Sequence, residues 1–246
     1  EIVVGSRGND FFEFGGNLTS EDKVDGGLGS DVLSITGADA TDLNLVSSIE
    51  SLILGDATTT IVTDTNLVDA NATLIVDGSQ MAAGHPLTFD GSDEADGNFD
   101  ITAGDADDVI TAGQDINTIM TGKGNDAIYM GITLDSADTL DGGLGDDSLF
   151  INVAIASDLD GVTNIELLTL ADADTTITVV DSLVATGESL EVDGSALTED
   201  QRLIFDGAAE SSGVFEIVGG DDDDVITGGG GPDTISAGDG DDIVSG

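Results

Sequence analysis

Cysteine and tryptophan are absent from this 246-residue chain, proline occurs twice and histidine once, and only four residues are basic. Without cysteine there is no disulfide framework and no thiolate zinc site. A single histidine, His85, leaves nothing from which to build a Ser–His–Asp triad, and its counterpart in the internal repeat described below is Gln201. Arg7, Lys23, Lys123 and Arg202 are too few and too scattered to form a basic patch, so nucleic acid and anionic lipid are not expected partners. No apolar run reaches membrane-spanning length, and membrane insertion is not expected. Against the four cations stand 51 acidic residues, a formal charge of −47. Acidic, aromatic-poor chains are ordinarily disordered, and a charge of this size repels itself apart. Cations are therefore expected to be part of the fold.

Compared with itself, the sequence aligns without a gap at an offset of 116. DKVDGGLGSDVLSI from Asp22 returns as DTLDGGLGDDSLFI from Asp138, and FDITAGDADDVITAG from Phe99 returns as FEIVGGDDDDVITGG from Phe215. Residues 1–14 match 117–130 and 233–246, so the chain holds two 116-residue repeats plus a 14-residue overlap (2 × 116 + 14 = 246). It starts without methionine and in mid-phrase, as a mature product or a piece of a longer chain does.

Within each repeat one phrase dominates. From Ala103 to Phe150 run AGDADDVIT, AGQDINTIM, TGKGNDAIY, a twelve-residue version MGITLDSADTLD, and GGLGDDSLF. Each is a variant of G-G-x-G-x-D-x-U-x. Glycine and short polar side chains suit a tight turn that visits positive φ, and the last three residues alternate around one apolar side chain as a very short strand does. That eighth position is apolar in every copy: Phe12, Val24, Leu33, Ile110, Ile119, Ile128, Leu140, Leu149, Ile226, Ile235 and Val244. These residues are expected to point inward. The acid at position six recurs once per turn beside carbonyls outside any ladder, and such oxygens are the hard ligands that calcium takes six to eight at a time.

On these nonapeptides the chain resembles the RTX family, whose repeats wind a parallel β-roll with calcium between successive turns on each edge. Position by position, the resemblance implies calcium ligands at Asp10, Asp22, Asp31, Asp108, Asp126, Asp138, Asp147, Asp224, Asp233 and Asp242, with Asn117 where Asp is usual. Two nonapeptides make one coil, so copies 18 residues apart share an edge. A three-residue insertion in the twelve-residue turn keeps the next copy on that edge, which places Asp108, Asp126 and Asp147 in one ladder. Asp158, in contrast, belongs to the spacer.

The resulting expectation is an all-β chain in which calcium β-roll blocks (1–34, 103–150, 219–246) alternate with wider β-solenoid, or β-helix, spacers (35–102, 151–218). In the spacers, apolar runs such as IESLIL, TLIVDG and LTFDG recur every 11 to 14 residues or so, closed by Gly, Asp, Asn or Ser. A hairpin-built sandwich competes, but tight Asn-Gly or Asp-Gly returns are sparse. SLVATGES and SALTEDQR are read as one- or two-turn helices at corners. Paired-carboxylate glycosidase chemistry is set aside because the recurring acids lie in glycine-rich turns, where metal binding or turn capping accounts for them. The threonine runs at 58–63 and 175–178 come once per 116 residues, which is too seldom for an ice-binding face.

Weak, multi-site calcium loops fill at extracellular calcium levels, so the chain is expected outside the cell, at the cell surface or in a secreted matrix. The role that follows is structural and not enzymatic: a surface layer, filament or matrix fibre that self-associates head to tail or in a lattice. A cell-surface polysaccharide is a further partner that such a role allows. The rival readings are the secretion and folding module of a type I exported enzyme, and a ligand-binding RTX adhesin.

Overall fold

In the computed structural model the structure describes residues 1–63, 67–152, 159–171 and 173–246, so Asp158 lies outside the described residues. The chain divides into two compact units, Glu1–Ala127 and Ile128–Gly246. The first contains β1 (Ile2–Val4), β2 (Phe11–Gly15), β3 (Lys23–Asp25), β4 (Val32–Ile35), β5 (Val46–Ser47), β6 (Ser51–Leu54), β7 (Thr59–Val62), β8 (Thr73–Asp77), β9 (Leu87–Asp90), β10 (Asn98–Thr102), β11 (Val109–Thr111) and β12 (Asn117–Met120). The second contains β13 (Ala127–Gly131), which begins at the division, β14 (Thr139–Asp141), β15 (Ser148–Ile151), β16 (Val162–Thr163), β17 (Leu167–Leu170), β18 (Thr175–Thr178), β19 (Ser189–Asp193), β20 (Leu203–Asp206), β21 (Val214–Val218), β22 (Val225–Thr227), β23 (Thr234–Ser236) and β24 (Ile243–Ser245).

In the first unit, strands pair in the orders β1-β3-β5, β2-β4-β6-β8-β10-β12 and β7-β9-β11. In the second the orders are β14-β16, β13-β15-β17-β19-β21-β23 and β18-β20-β22-β24. Each strand thus skips its sequence neighbour, and the pairs are parallel. Each unit is a parallel β-solenoid, not a sandwich of hairpins. The rise from coil to coil is 18 residues where two plain nonapeptides are used, as from Asp108 to Asp126, and 21 where the insertion intervenes, as from Asp10 to Asp31. Spacer coils are wider: Thr73 pairs with Asn98 (98 − 73 = 25) and Thr59 with Leu87 (87 − 59 = 28).

Alternation along each strand sends every second side chain inward, and the register stacks them. In the first unit Phe12, Leu33, Leu52, Val76, Ile101 and Ile119 lie one on the next, so the eighth-position residues of the blocks share a column with spacer residues. Ile61, Phe89 and Ile110 form the facing column, and Phe89 meets Phe99 edge to face at 4.9 Å. In the second unit the columns are Leu149-Leu168-Val192-Ile217-Ile235 and Ile177-Phe205-Ile226-Val244. Each fully buried member contributes roughly 1.5–3 kcal/mol.

Nine of the eleven eighth-position residues are buried. Ile235 is half-buried, and Val244 is 49% exposed. Val244 sits in β24, the outermost strand of its sheet, where no further rung covers it. The two corner helices do not form: Ser182–Glu188 and Ser195–Arg202 are turns and bends, and Ser189 already begins β19. Their i to i+3 bonds are isolated (Glu188 N–H to Ala185 O, Leu197 N–H to Gly194 O, Gln201 N–H to Thr198 O), and Gly187 at φ 89° breaks the first. Burial of Leu183, Val184 and Leu197 holds these segments to the coil, and a run of consecutive turns needed for a helix never starts. The threonine runs behave as ordinary strand: Thr59 and Thr175 are buried, with hydroxyls donating to the carbonyls of Ala57 and Ala173.

Candidate metal centre

The turns between block strands carry the acids on the solenoid edges. Asp108 Oδ2 accepts the N–H of Gly104, four residues earlier, and Oδ1 accepts that of Leu87 on the preceding coil (3.0 and 2.6 Å). Its own N–H donates to Asp126 Oδ1 at 2.7 Å. The carboxylate therefore closes its own turn and receives the coil before it, while its backbone engages the carboxylate of the next. Between these turns, Gly122 and Gly124 have φ of 102° and 129°, and a Cβ on either would lie 2.3 Å from the carbonyl oxygen of Gly104 or Ala106. Only glycine allows that approach, so backbone oxygens and carboxylates are concentrated along one seam.

The same pattern recurs at other predicted positions. Asp224 accepts from Gly220 and Leu203 and donates to Asp242 Oδ1 (2.9, 2.8 and 2.9 Å). Asp233 accepts from Gly229 and Phe215 (2.8 and 2.9 Å). Asp10 accepts from Ser6 at 2.6 Å and donates to Asp31 Oδ1 at 2.7 Å. Asp108 and Asp126 are thus brought together in one unit as expected, as are Asp10 with Asp31 and Asp224 with Asp242. Asp147, fully buried, lies in the second unit.

Asp22 and Asp138, the acids of the twelve-residue turns, are buried but close three-residue loops of their own, accepting the N–H of Thr19 (2.9 Å) and Asp135 (2.8 Å). Asp22 also meets the Glu1 amino group. Asn117, fully buried, donates from Nδ2 to the Asp115 carbonyl at 2.5 Å, a bond no aspartate could make.

Burial raises the Asp108 carboxyl from the ordinary 3.8 to about 6, against the N–H groups of Leu87 and Gly104 and with added repulsion from Asp126 and Asp107. Asp126 and Asp224 are also raised, chiefly by burial. Carboxylates placed where ionisation is penalised are relieved by a cation.

The donor set fits calcium. Asp31 is fully buried with Oδ2 lacking any hydrogen-bond partner, and carboxylates that accept one N–H per oxygen keep lone pairs for a metal. Among the described residues no three Asp, Glu or His side chains converge, so backbone carbonyls along the glycine seams must complete the six to eight oxygens.

Two pairs of residues escaped the sequence reading. Glu50 Oε2 accepts the N–H of Asp31 at 2.6 Å and Glu166 Oε2 that of Asp147 at 2.8 Å, continuing the acid ladder into the spacer. Glu94 and Glu210 are spacer glutamates with essentially no exposure. Both pairs recur at the offset of 116, which is the signal that could have found them.

No curated protein and no solved structure gives a significant match to the chain. The RTX calcium-binding nonapeptide repeat matches residues 102–132, 132–150 and 218–246, in four copies. The matched segments contain the turns of Asp108, Asn117, Asp126, Asp138, Asp147, Asp224, Asp233 and Asp242. Residues 102–150 and 218–246 are therefore RTX calcium-binding nonapeptide repeats, and the ion they bind is calcium.

Proposed function

We propose that the chain is an extracellular structural protein built from 116-residue units that fold on calcium and associate, head to tail or in a lattice, into a surface layer, filament or matrix fibre. One observation carries this reading: the spacer repeats as faithfully as the calcium blocks. β6 to β11 return as β17 to β22 at the offset of 116 with the same lengths, and the corner glutamates Glu94 and Glu210 return with them. A module that only aided export of an enzyme would need its calcium turns but not a repeated spacer. Units of this kind stack through heterologous contacts, which propagate unless rotation closes them.

Calcium is what permits the fold under this reading. At a formal charge of −47, rungs about 4.8 Å apart bring rows of carboxylates together, and cation binding becomes folding free energy. Far-UV circular dichroism is expected to show a β spectrum in millimolar calcium and its loss in EGTA, with magnesium a poor substitute because it demands a smaller, more regular shell. A full β signal in EGTA would overturn calcium-driven folding. Light scattering in calcium and electron microscopy of native material test assembly: a monodisperse monomer with no axial repeat commensurate with the unit favours the export-module or adhesin reading instead.

A further inference from the structure

We infer that the calcium ladder runs one rung past the nonapeptides at each repeat, where a glycine-free spacer turn, Ser48–Glu50 and again Asn164–Glu166, supplies the second half of a divalent-cation site whose first half is Asp31 and Asp147. The inference rests on the calcium-folding reading above. Neither spacer turn lies in a segment matched by the repeat family.

The backbone relation is that of one nonapeptide turn to the next. Asp10 donates its N–H to Asp31 Oδ1 at 2.7 Å, and Asp31 donates its own to Glu50 Oε2 at 2.6 Å. The N–H groups of Glu50 and Ser51 both return to the Asp31 carbonyl at 3.1 Å. Glu50 therefore occupies the rung where a position-six aspartate would stand, 19 residues on. Its extra methylene extends the reach of a turn that has lost three residues relative to Gly26–Asp31.

The carbonyl of the missing glycine is also replaced. Where nonapeptide turns stack, a Cβ on Gly5 would lie 2.0 Å from the Gly26 oxygen and 2.8 Å from Asp10 Oδ2. At the spacer junction a Cβ on Gly26 would lie 1.9 Å from the Ser48 oxygen and 2.7 Å from Asp31 Oδ2. Ser48 achieves this at φ 53°, the left-handed region that L side chains seldom adopt. The second repeat reproduces it: Asn164 has φ 54°, and a Cβ on Gly142 would lie 2.0 Å from the Asn164 oxygen and 2.8 Å from Asp147 Oδ2. Asparagine tolerates this region, but Ser48 does not do so readily, and a conformation kept at equivalent positions of two repeats despite the serine needs a compensating gain.

Asp31 points to that gain. Its side chain is fully buried, Oδ1 receives the Asp10 N–H, and Oδ2 has no hydrogen-bond partner. A bare buried carboxylate oxygen beside a strained carbonyl, with a second carboxylate on the adjoining rung, is a half-built shell of hard oxygens for calcium.

A bland role for Glu50, simply capping the Asp31 N–H, needs an acceptor but no charge. Glu50→Gln and Glu166→Gln keep the acceptor and remove the charge, so they separate the two roles. Calcium bound per chain is counted by native mass spectrometry and equilibrium dialysis on the 246-residue protein, with exposed Glu199→Gln as control. Each substitution is expected to remove one ion and to lower the melting temperature in saturating calcium, while the control changes neither. An unchanged ion count in the double variant overturns the inference and leaves calcium-driven folding standing. A parent chain that binds no calcium overturns both. A variant unfolded at every calcium concentration also counts against it, because loss of one site among several leaves the others to fold the chain.

Discussion

Two corners of the first unit share one backbone and differ in what fills them. After β8 the chain turns through Gly78 to Met81, and after β9 through Gly91 to Glu94, each closed by an N–H to the glycine carbonyl three residues back (2.8 and 2.9 Å). The carbonyls of Met81 and Glu94 then receive the N–H groups of Asp105 and Gln114 from the block turns stacked on them. The second unit repeats the pair with Leu197 and Glu210. All four side chains are buried, two apolar and two carboxylate. The difference lies in the donors at hand. Glu94 Oε1 collects the N–H groups of Ala95, Asp96 and Gly97 at 3.0–3.2 Å, and Glu210 Oε1 those of Ser212 and Gly213. At the Met81 corner the Ala82 N–H is already taken by Asp56, which also meets His85 at 2.7 Å. Where the loop supplies N–H groups the corner holds a buried carboxylate, although Oε2 of Glu94 and of Glu210 has no hydrogen-bond partner, and where the adjoining N–H is spent a hydrophobe fills the corner.

The sharpest way to break this comparison is Met81→Glu, which puts a carboxylate into the corner whose adjoining donor is spent. An uncompensated buried charge costs roughly 3–5 kcal/mol, so a large drop in the guanidinium midpoint in saturating calcium is expected. Met81→Leu, which copies the Leu197 corner, is expected to cost less than about 1.5 kcal/mol. If Met81→Glu were as stable as the parent, donors would not be what decides the filling.

A second test asks whether block acids differ from spacer acids by geometry or only by charge. Asp108→Asn keeps an acceptor in the turn but lowers the ligand charge on which calcium affinity depends, and roughly a tenfold loss is expected by calorimetry. Asp200→Asn, exposed in a spacer turn, is expected to change affinity little. Equal losses would mean that bulk charge holds the metal.

The parallel solenoid and its period were legible because each rests on a pattern: Phe12, Leu33 and Ile119 alternate within strands, and Asp10 and Asp126 lie in glycine turns that only a tight backbone uses. What was not legible depends on the neighbouring coil. Glu50 is an ordinary glutamate in IESLIL until Asp31 is seen to donate to it across the rung. Glu94 is one acid among several in GSDEADG; in the sequence only its return as Glu210 separates it from Asp93 and Asp96, whose counterparts are Ala209 and Ser212, and in the fold its burial does. Ser182–Ser189 and Ser195–Arg202 have helix-compatible composition, yet packing of Leu183 and Leu197 into the coil overrides it. Val244 fits the inward pattern and is nevertheless exposed, since burial at that position requires a rung above it.

The smallest effect expected is that of pH, and it sharpens the comparison from the Met81 side. The Met81 corner stacks on the turn of Asp108, its carbonyl receiving the Asp105 N–H, and an apolar filling there is expected to favour desolvation of that turn. Burial raises Asp108 to about 6 from 3.8. A carboxyl whose folded value is raised contributes stability that is fully present below the unfolded value and is lost as pH rises through the folded one. In EGTA, lowering pH from 7.5 to 5 is therefore expected to recover part of the β signal, with Asp224, raised for the same reason in the second unit, acting in the same direction. Asp126 adds to it. In calcium the sign reverses for binding, because protons compete for the same oxygens and affinity falls as pH drops through about 6. Circular dichroism in EGTA and calorimetry in calcium at matched pH read the two halves separately. Asp108→Asn is expected to flatten its share of both. A metal-free chain that loses structure steadily from pH 7.5 to 5 would show that these carboxyls are solvated, and that the apolar corner does not shield the turn beneath it.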